Sequence, residues 1–179
     1  MKIIVPPLSD GDINGLEAGD EVLIRGVIYG ARDAAHKKMV AGRQNGCAWP
    51  MDLKGQIIYY VGPCPAPPGR VIGSAGPTTS GRMDSYAPIM LAEGLKGMIG
   101  KGQREPAVIE AMVKYKAVYF AAIGGAGAFI AGTIKKVETV AYQELGPEAL
   151  IKMEVYDFPC IVAIDVYGNS LYKTYSKNS

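Results

Sequence analysis

Short runs of β-branched and aromatic residues alternate with segments of helical pattern through the first two-thirds of the chain. The predicted strands are Glu21–Ala31, Gln56–Pro63, Val71–Gly76, Lys96–Gly100 and Ala117–Gly125. The predicted helices are Ala31–Gly42 with Asp33 as its N-cap, Met83–Leu95, Glu105–Tyr115 and Gly127–Ile134. Alternation of this kind is typical of strand–helix–strand units, whose strands lie parallel in one sheet.

The last third of the chain has a different pattern, because three predicted strands follow one another without helices between them. They are Val137–Leu145, Ala149–Phe158 and Cys160–Gly168. With 49% hydrophobic and 20% charged residues, the 179-residue chain has the composition of a globular protein with one sizeable core. The sequence therefore predicts a single α/β domain over residues 1–179, with mixed sheets and a β-rich C-terminal third.

Charge, hydropathy and cysteine usage exclude several classes of protein. A net charge of +2 gives no reason to expect nucleic acid as a partner, and no apolar run is long enough to span a membrane. The three cysteines are odd in number, widely spaced and unlike any compact iron–sulfur motif, which favours a reducing compartment and no metal bound by this chain. We therefore expect a cytoplasmic protein with neither nucleic acid nor a membrane as a partner.

The stretch GPTTSGRMD, residues 76–84, has too little bulk to fill a core. It is predicted to join a strand to a helix, where glycines allow close approach and free backbone N–H groups attract anions. The hydroxyl groups of Thr78, Thr79 and Ser80 would add donors, and Arg82 would add a planar fork that fits a carboxylate or a phosphate. The alternative is a turn whose hydroxyls only cap the next helix.

Two more cations follow predicted strands. Arg32 lies at a strand-to-helix junction, followed by the only histidine, His36, and Lys101 lies just beyond a short buried strand. A lone histidine is more often structural than catalytic, and an isolated lysine after a glycine is more often solvated than functional. Taken with Arg82, however, these residues place three cations at strand ends. A small dicarboxylate is a ligand that would need all three.

Several of these segments together resemble a known family. GVIYGARDAAHKKM, IIYYVGP, GSAGPTTSGRMDSY, MIGKG and DFPCIVAIDVYGNSLY occur in this order, from about Pro6 to Tyr172. This set resembles the β subunit of the two-subunit iron–sulfur hydro-lyases, the family of class I fumarases and L(+)-tartrate dehydratases. The combination of ARDAAHK with GPTTSGRMD is its most specific part.

The resemblance implies a swivelling β/β/α fold and an active site shared with another chain. A cluster-bearing α subunit would hold a 4Fe-4S cluster, and this chain would bind none and supply the dicarboxylate-binding residues. The reaction implied is hydration of fumarate to L-malate. Tartrate dehydration, another diacid hydratase and a non-catalytic anion-binding module remain alternatives. An exposed, partly apolar face should surround the site, and segments 46–52 and 64–70 are the candidates for it.

The family's substrate-contacting residues fall on Arg32, Thr78, Arg82 and Lys101. In this interpretation both arginines grip carboxylate oxygens, and Lys101 supports the second carboxylate. Thr78 lies near the carbon that exchanges a proton, and it either relays that proton or orients the substrate. The supporting residues are predicted to be His36, which would hold the Arg32 turn, Thr79, Ser80 and Asp84, which would cap a helix or orient Arg82.

Overall fold

The computed structural model describes residues 1–123 and 125–172. The strands are β1 (Lys2–Ile4), β2 (Glu21–Gly30), β3 (Ile57–Tyr59), β4 (Gly97–Gly100), β5 (Val118–Ala122), β6 (Ile134–Ala141) and β7 (Leu150–Ile164). The helices are α1 (Asp10–Ile13), α2 (Asp33–Gln44), α3 (Ala87–Ala92), α4 (Pro106–Tyr115) and α5 (Gly127–Thr133), with 3₁₀ helices at Ser80–Met83 and Gln143–Glu148. None of the helices in these residues has the length and apolar character needed to cross a membrane.

The strands form a mixed sheet that closes on itself. β2, β3, β4 and β5 are parallel neighbours in that order. β7 runs antiparallel to β5 on one side and to β2 on the other, so these five strands make a ring. β1 extends the sheet beside the start of β2, and β6 extends it beside the first half of β7.

Two hydrophobic clusters lie on opposite faces of this ring. Side chains alternate between them along β3, with Ile57 and Tyr59 in the inner cluster and Ile58 and Tyr60 in the outer one. The outer cluster also contains buried residues of α2, α3 and α4. Because both faces of β3 and β4 are covered, these strands appear in the sequence as continuous apolar runs rather than as alternating ones.

The α/β class and the β-rich C-terminal third are confirmed, but several boundaries differ from prediction. Val71–Gly76 is not a strand, because the Gly73 N–H donates to Cys64 O and the Cys64 N–H donates to Ser74 O. The segment therefore folds back on its own loop instead of joining the sheet. A side chain at Gly73 would lie 2.5 Å from the Cys64 and Pro65 carbonyl oxygens, so only glycine fits there.

The strands predicted over 149–158 and 160–168 are one continuous strand, β7. The break suggested by Asp157 and Pro159 is a β-bulge opposite Arg25, where the register shifts and Asp157 has a φ of 57°. The Arg25 Nε lies 2.6 Å from Asp157 Oδ1, and this contact stabilises the bulge. The bulge bends the strand without ending it.

Other predicted boundaries are corrected as well, and the strand predicted over 56–63 is only Ile57–Tyr59. The helix predicted over 83–95 is shorter, at Ala87–Ala92, and the strand predicted over 137–145 is displaced to Ile134–Ala141, with a 3₁₀ helix after it. Asp33 is the first residue of α2 rather than its cap. Arg32 occupies the cap position and makes no side-chain cap bond. Gly42 lies inside α2, which continues to Gln44.

Candidate active site

Arg32 lies at the carboxyl end of β2, where the Ala31 N–H donates to Tyr59 O of the neighbouring strand. Its guanidinium packs over Gly62, since a side chain there would lie 2.8 Å from Arg32 Cδ. The Arg32 Nε lies 2.7 Å from Glu148 Oε1 and 3.0 Å from Asp33 Oδ1. Arg32 is thus held in place from three sides while a quarter of its side chain, 25%, stays exposed.

The loop 76–84 crosses the carboxyl ends of β3 and β4. The Thr78 N–H donates to Tyr60 O, just beyond β3, and the Ser80 N–H donates to Lys101 O, just beyond β4. Thr79 forms an isolated parallel bridge with Lys101. Because β2, β3 and β4 are adjacent, Arg32, Thr78 and Lys101 lie beside the ends of three consecutive strands, whose outer two are about 10 Å apart, or two strand spacings.

The predicted setting of this loop is therefore wrong, although its place in the fold is close to the expected one. No strand leads directly into the loop, and its second half forms a single 3₁₀ turn, Ser80–Met83, before α3 begins at Ala87. The expected N–H groups of a helix N-terminus are absent at this point. What the loop offers a ligand is the half-buried Thr78, the exposed Thr79 and the exposed Arg82.

Arg82 and Lys101 are exposed cations, and neither forms an ion pair with any residue in 1–123 or 125–172. Arg82 lies close enough to Asp33 to influence it. Burial acts to raise the pKa of Asp33, but the hydrogen bond from Arg32 and the charges of Arg32 and Arg82 outweigh it and hold that pKa below its usual value. The 3₁₀ turn that carries Arg82 contacts α2, which begins directly after Arg32, so the two arginines lie on the same side of the ring.

His36 lies under the Arg32 turn and is only 1% exposed. Its Nδ1 lies 2.8 Å from Arg32 O. A carbonyl oxygen only accepts, so Nδ1 carries the proton and donates it. Burial is the main cause that lowers the pKa of His36 to about 4, with the hydrogen bond to Arg32 opposing it and the charge of Arg104 adding to it. The predicted contact with the Arg32 turn is present, and it is made by a neutral ring.

The depressed pKa of His36 makes stability depend on pH. As pH falls from 6.5 towards 4, the histidine takes up a proton in the unfolded chain but not in the folded one. The contribution of neutral His36 to stability is therefore complete above pH 6.5 and is lost as pH falls to about 4. Since His36 is the only histidine, His36→Asn keeps a donor towards Arg32 O and removes the titration. From about pH 7 to about pH 5 the wild type should lose about 2 kcal/mol more unfolding free energy than His36→Asn, measured by urea titration. Equal losses of unfolding free energy in the two proteins would contradict the assignment of this pH dependence to His36.

The hydroxyl group of Ser80 is not available to a ligand, contrary to prediction. Ser80 is fully buried, and its Oγ lies 2.8 Å from Tyr119 Oη. The Tyr119 hydroxyl donates to Gly102 O at 2.8 Å, so its single proton is used and Ser80 must be the donor in their contact. This chain of hydrogen bonds fixes the loop to the residue that follows Lys101.

Asp84 does not contact Arg82, so one of its two predicted roles is wrong. Its Oδ2 accepts the N–H of Glu105, the residue just before α4, and this bond ties Asp84 to the start of that distant helix without capping the N–H groups inside it. Its Oδ1 pairs with Arg104 at 2.6 Å. Arg104 was not singled out from the sequence, because an arginine in a polar segment before a helix normally indicates an exposed loop.

The cysteines of the chain do not form a ligand set for a metal cluster. Cys160 is buried in the inner cluster, where burial raises its pKa well above the usual range, while Cys47 and Cys64 are exposed. Within residues 1–123 and 125–172, no group of three or more His, Cys, Asp or Glu side chains is placed to hold a metal ion. The side chains in this described part of the chain therefore do not fit an iron–sulfur cluster.

Comparison with known proteins shows the family of this chain. A family model described as Fumarase C-terminus matches residues 4–175. The chain belongs to this family. Among its relatives in the Fumarase C-terminus family is a class I, aerobic fumarate hydratase of Escherichia coli strain K12, 43% identical over 97% of this chain. Fumarate hydratase 2 of Leishmania major is 41% identical over 86% of this chain.

These two Fumarase C-terminus relatives are much longer than the chain, which spans 31% of the Escherichia coli protein and 28% of the Leishmania major protein. A third relative, from Methanocaldococcus jannaschii, carries the provisional name L(+)-tartrate dehydratase subunit beta. It is 38% identical over 99% of this chain and 94% of its own length. In this family the same domain thus occurs both as part of a long chain and as a chain of nearly its own size.

Proposed function

We propose that this chain is the β subunit of a two-subunit hydro-lyase that interconverts fumarate and L-malate. The observation that carries the proposal is the gathering of Arg32, Thr78, Arg82 and Lys101 at one end of the ring, with Arg82 and Lys101 free of ion pairs in the described residues. Exposed cations on neighbouring loops attract a small dianion. The fumarate hydratases among its relatives support the choice of substrate.

In the proposed reaction the chain binds and orients the substrate. Arg32 and Arg82 bind carboxylate oxygens through their planar forks, and Lys101 balances the second carboxylate as a point charge. Two strand spacings, about 10 Å, separate the ends of β2 and β4, so side chains from both can reach a single small diacid. The hydroxyl group of Thr78 lies on the loop between them, where it orients the substrate or exchanges the proton.

We further propose that the 4Fe-4S cluster is held by a partner α subunit. The scattered cysteines of this chain support that assignment. A candidate α subunit is a chain that matches the remaining two-thirds of the fumarate hydratase relatives, of which this chain spans 31% in the Escherichia coli protein. Bound there, the cluster would supply a Lewis acid for the hydroxyl-bearing carbon.

L(+)-tartrate dehydratase is the second candidate activity. It is favoured by the relative named as a subunit beta, which matches this chain along 94% of its own length. Tartrate has one more hydroxyl group than malate, and a group that binds it can lie on either chain. The residues described above bind the two carboxylates, which fumarate, malate and tartrate share.

The test of the proposed function is an anaerobic co-purification of the tagged chain with the candidate α subunit, followed by assays with fumarate, L-malate and L(+)-tartrate. The proposal predicts an iron-bearing complex that hydrates fumarate, and neither chain alone should do so. Turnover of tartrate but not fumarate would favour the second candidate. A chain that purifies without the α subunit and binds dicarboxylates without turning them over would be an anion-binding module.

Three exposed apolar side chains on segments that neighbour the site support the proposed partner. The side chains of Val71, Ile123 and Phe129 are 50%, 53% and 66% exposed. The Ala75 N–H donates to Gly127 O, which ties the base of the loop 76–84 to α5, where Phe129 lies. Segment 64–70 is exposed throughout, as expected of an interface, whereas Trp49 of segment 46–52 is half-buried against the outer cluster.

Phe129→Asp should weaken binding of the α subunit by about 10–100-fold, because a buried aromatic anchor at an interface is worth about 2 kcal/mol or more. The matched control is Tyr167→Asp. Tyr167 is 65% exposed against 66% for Phe129, but it follows β7 near the start of β2, away from the site. The measurement is the dissociation constant of the complex by anaerobic biolayer interferometry. Equal effects of the two variants would contradict the interface.

A further inference from the structure

A buried ion pair lies directly under the candidate active site. The side chains of Arg104 and Asp84 are 0% and 3% exposed, and Arg104 Nε lies 2.6 Å from Asp84 Oδ1. Arg104 also donates to Tyr60 Oη at 3.2 Å, and its guanidinium lies 5.2 Å from the Tyr60 ring centroid and 5.0 Å from that of Tyr119. Stability alone is a weak reason for such a pair, because desolvation of both charges offsets most of their attraction.

Each partner of Arg104 holds a segment that carries a proposed substrate-binding residue. The Tyr60 carbonyl accepts the Thr78 N–H. The Tyr119 hydroxyl group contacts Ser80 and Gly102, which brings the loop to the residue after Lys101. Asp84 immediately follows the 3₁₀ turn on which Arg82 lies. The guanidinium therefore contacts residues from three segments, which the hydrogen bonds of Tyr119 and Asp84 also join to one another.

We propose that Arg104 is a positioning residue for the site: it fixes Thr78, Arg82 and Lys101 relative to one another without touching the substrate. This role rests on the proposed function. A guanidinium suits it because its planar fork binds a carboxylate and a phenol in fixed directions, while its faces lie against two aromatic rings. A lysine ammonium keeps the charge but has no such fork.

Arg104→Lys in the α–β complex should therefore keep the fold and the iron content but lower kcat/KM on the order of 10²-fold, the effect of a shift of about 1 Å in binding groups. The control is Asp165→Asn. Asp165 is 1% exposed and accepts several hydrogen bonds, but its partners Ala18, Tyr167 and Asn169 lie near the start of β2 rather than at its end. This control should lower Tm and leave kcat/KM unchanged.

A pair of variants separates positioning from stability. Arg104→Met leaves Asp84 buried without its cation and should lower Tm. Adding Asp84→Asn removes the unpaired charge and keeps an acceptor for the Glu105 N–H, so Tm should recover. The proposal predicts that kcat/KM stays low in this double variant, because the orienting fork is still missing. Recovery of kcat/KM in parallel with Tm would show that Arg104 acts only on stability, and the proposal would be wrong.

Hydrogen exchange provides a readout that does not depend on activity. Amides of residues 76–84 should exchange at least about tenfold faster in the Arg104→Lys complex than in the wild type, while Asp165→Asn should leave them unchanged. A wild-type complex that turns over no diacid would contradict the proposed function, and exchange would still test Arg104. An active wild type with an equally active Arg104→Lys variant, or unchanged exchange in that variant, would contradict the positioning role alone.

Discussion

Arg82→Ala is expected to lower kcat/KM of the α–β complex by about 10²–10³-fold, the loss typical of one preorganised charged donor. Arg82 is exposed and forms no ion pair with the described residues, so its removal leaves no buried carboxylate unpaired. Its charge is also one of the influences that hold the pKa of Asp33 low. Stability should accordingly change by no more than about 0.5 kcal/mol.

The measurement is steady-state kinetics with fumarate and with L-malate, together with Tm of the same preparations. Arg82→Lys should retain part of the activity, because the charge remains but the second hydrogen bond to a carboxylate is lost. Arg43→Ala is the matched control, since Arg43 is an exposed arginine in the last turn of α2, paired with Glu93. A loss below about threefold in Arg82→Ala would contradict its role as a carboxylate ligand.

Gly100→Ala is expected to lower the stability of the domain strongly. A Cβ at this position would lie 2.0 Å from Ser80 Oγ and 2.9 Å from Tyr60 Cδ2. Overpacking costs about 1–3 kcal/mol, and loss of the Ser80 hydrogen bond to Tyr119 adds about 1 kcal/mol. We expect a total loss of about 3 kcal/mol in unfolding free energy, together with lower activity, because Lys101 is the next residue.

Removing the atom that causes the clash should relieve part of this loss. Ser80→Ala deletes the Oγ and leaves the Ser80 Cβ at 3.3 Å from the new methyl group. The double variant should therefore be more stable than the sum of the single effects by about 1–2 kcal/mol, measured by urea unfolding. Gly15→Ala is the control, since no atom lies within 4 Å of a Cβ there. Strict additivity would mean that Ser80 and Gly100 are not in contact.

The positions of the cations were predictable because β2 and β4 are distinct apolar runs. Arg32 and Lys101 directly follow those runs, and strand ends collect at one edge of a parallel sheet. The same argument also predicted that Arg82 lies at a strand end, but it assumed that Val71–Gly76 is a strand, and this segment is not one. The glycines and small residues of Val71–Gly76 allow a tight turn as readily as a strand. Only the hydrogen bonds between this segment and Cys64 decide between the two.

The buried contacts beneath the site could not be predicted from the sequence. Arg104 and Asp84 are 20 residues apart, and no local pattern indicates that they meet. Tyr60 and Tyr119 looked like ordinary strand residues, and the positions of their hydroxyl groups depend on how the ring closes. Glu148, which contacts Arg32, lies on a 3₁₀ helix and falls between two predicted strands. Such contacts depend on tertiary packing rather than on propensity.

The strand that closes the ring comes late in the chain. β7 pairs with β2 from Gly30↔Ile151 to Glu21↔Ile161, and it also pairs with β5 and β6. During synthesis, Arg32, Thr78, Arg82 and Lys101 all leave the ribosome before residues 150–164. Until β7 arrives, β2 and β5 keep open edges and the strand ends that carry these cations are not held together. In the proposed two-subunit enzyme, a nascent chain would thus be unable to bind the α subunit productively before β7 has closed the ring.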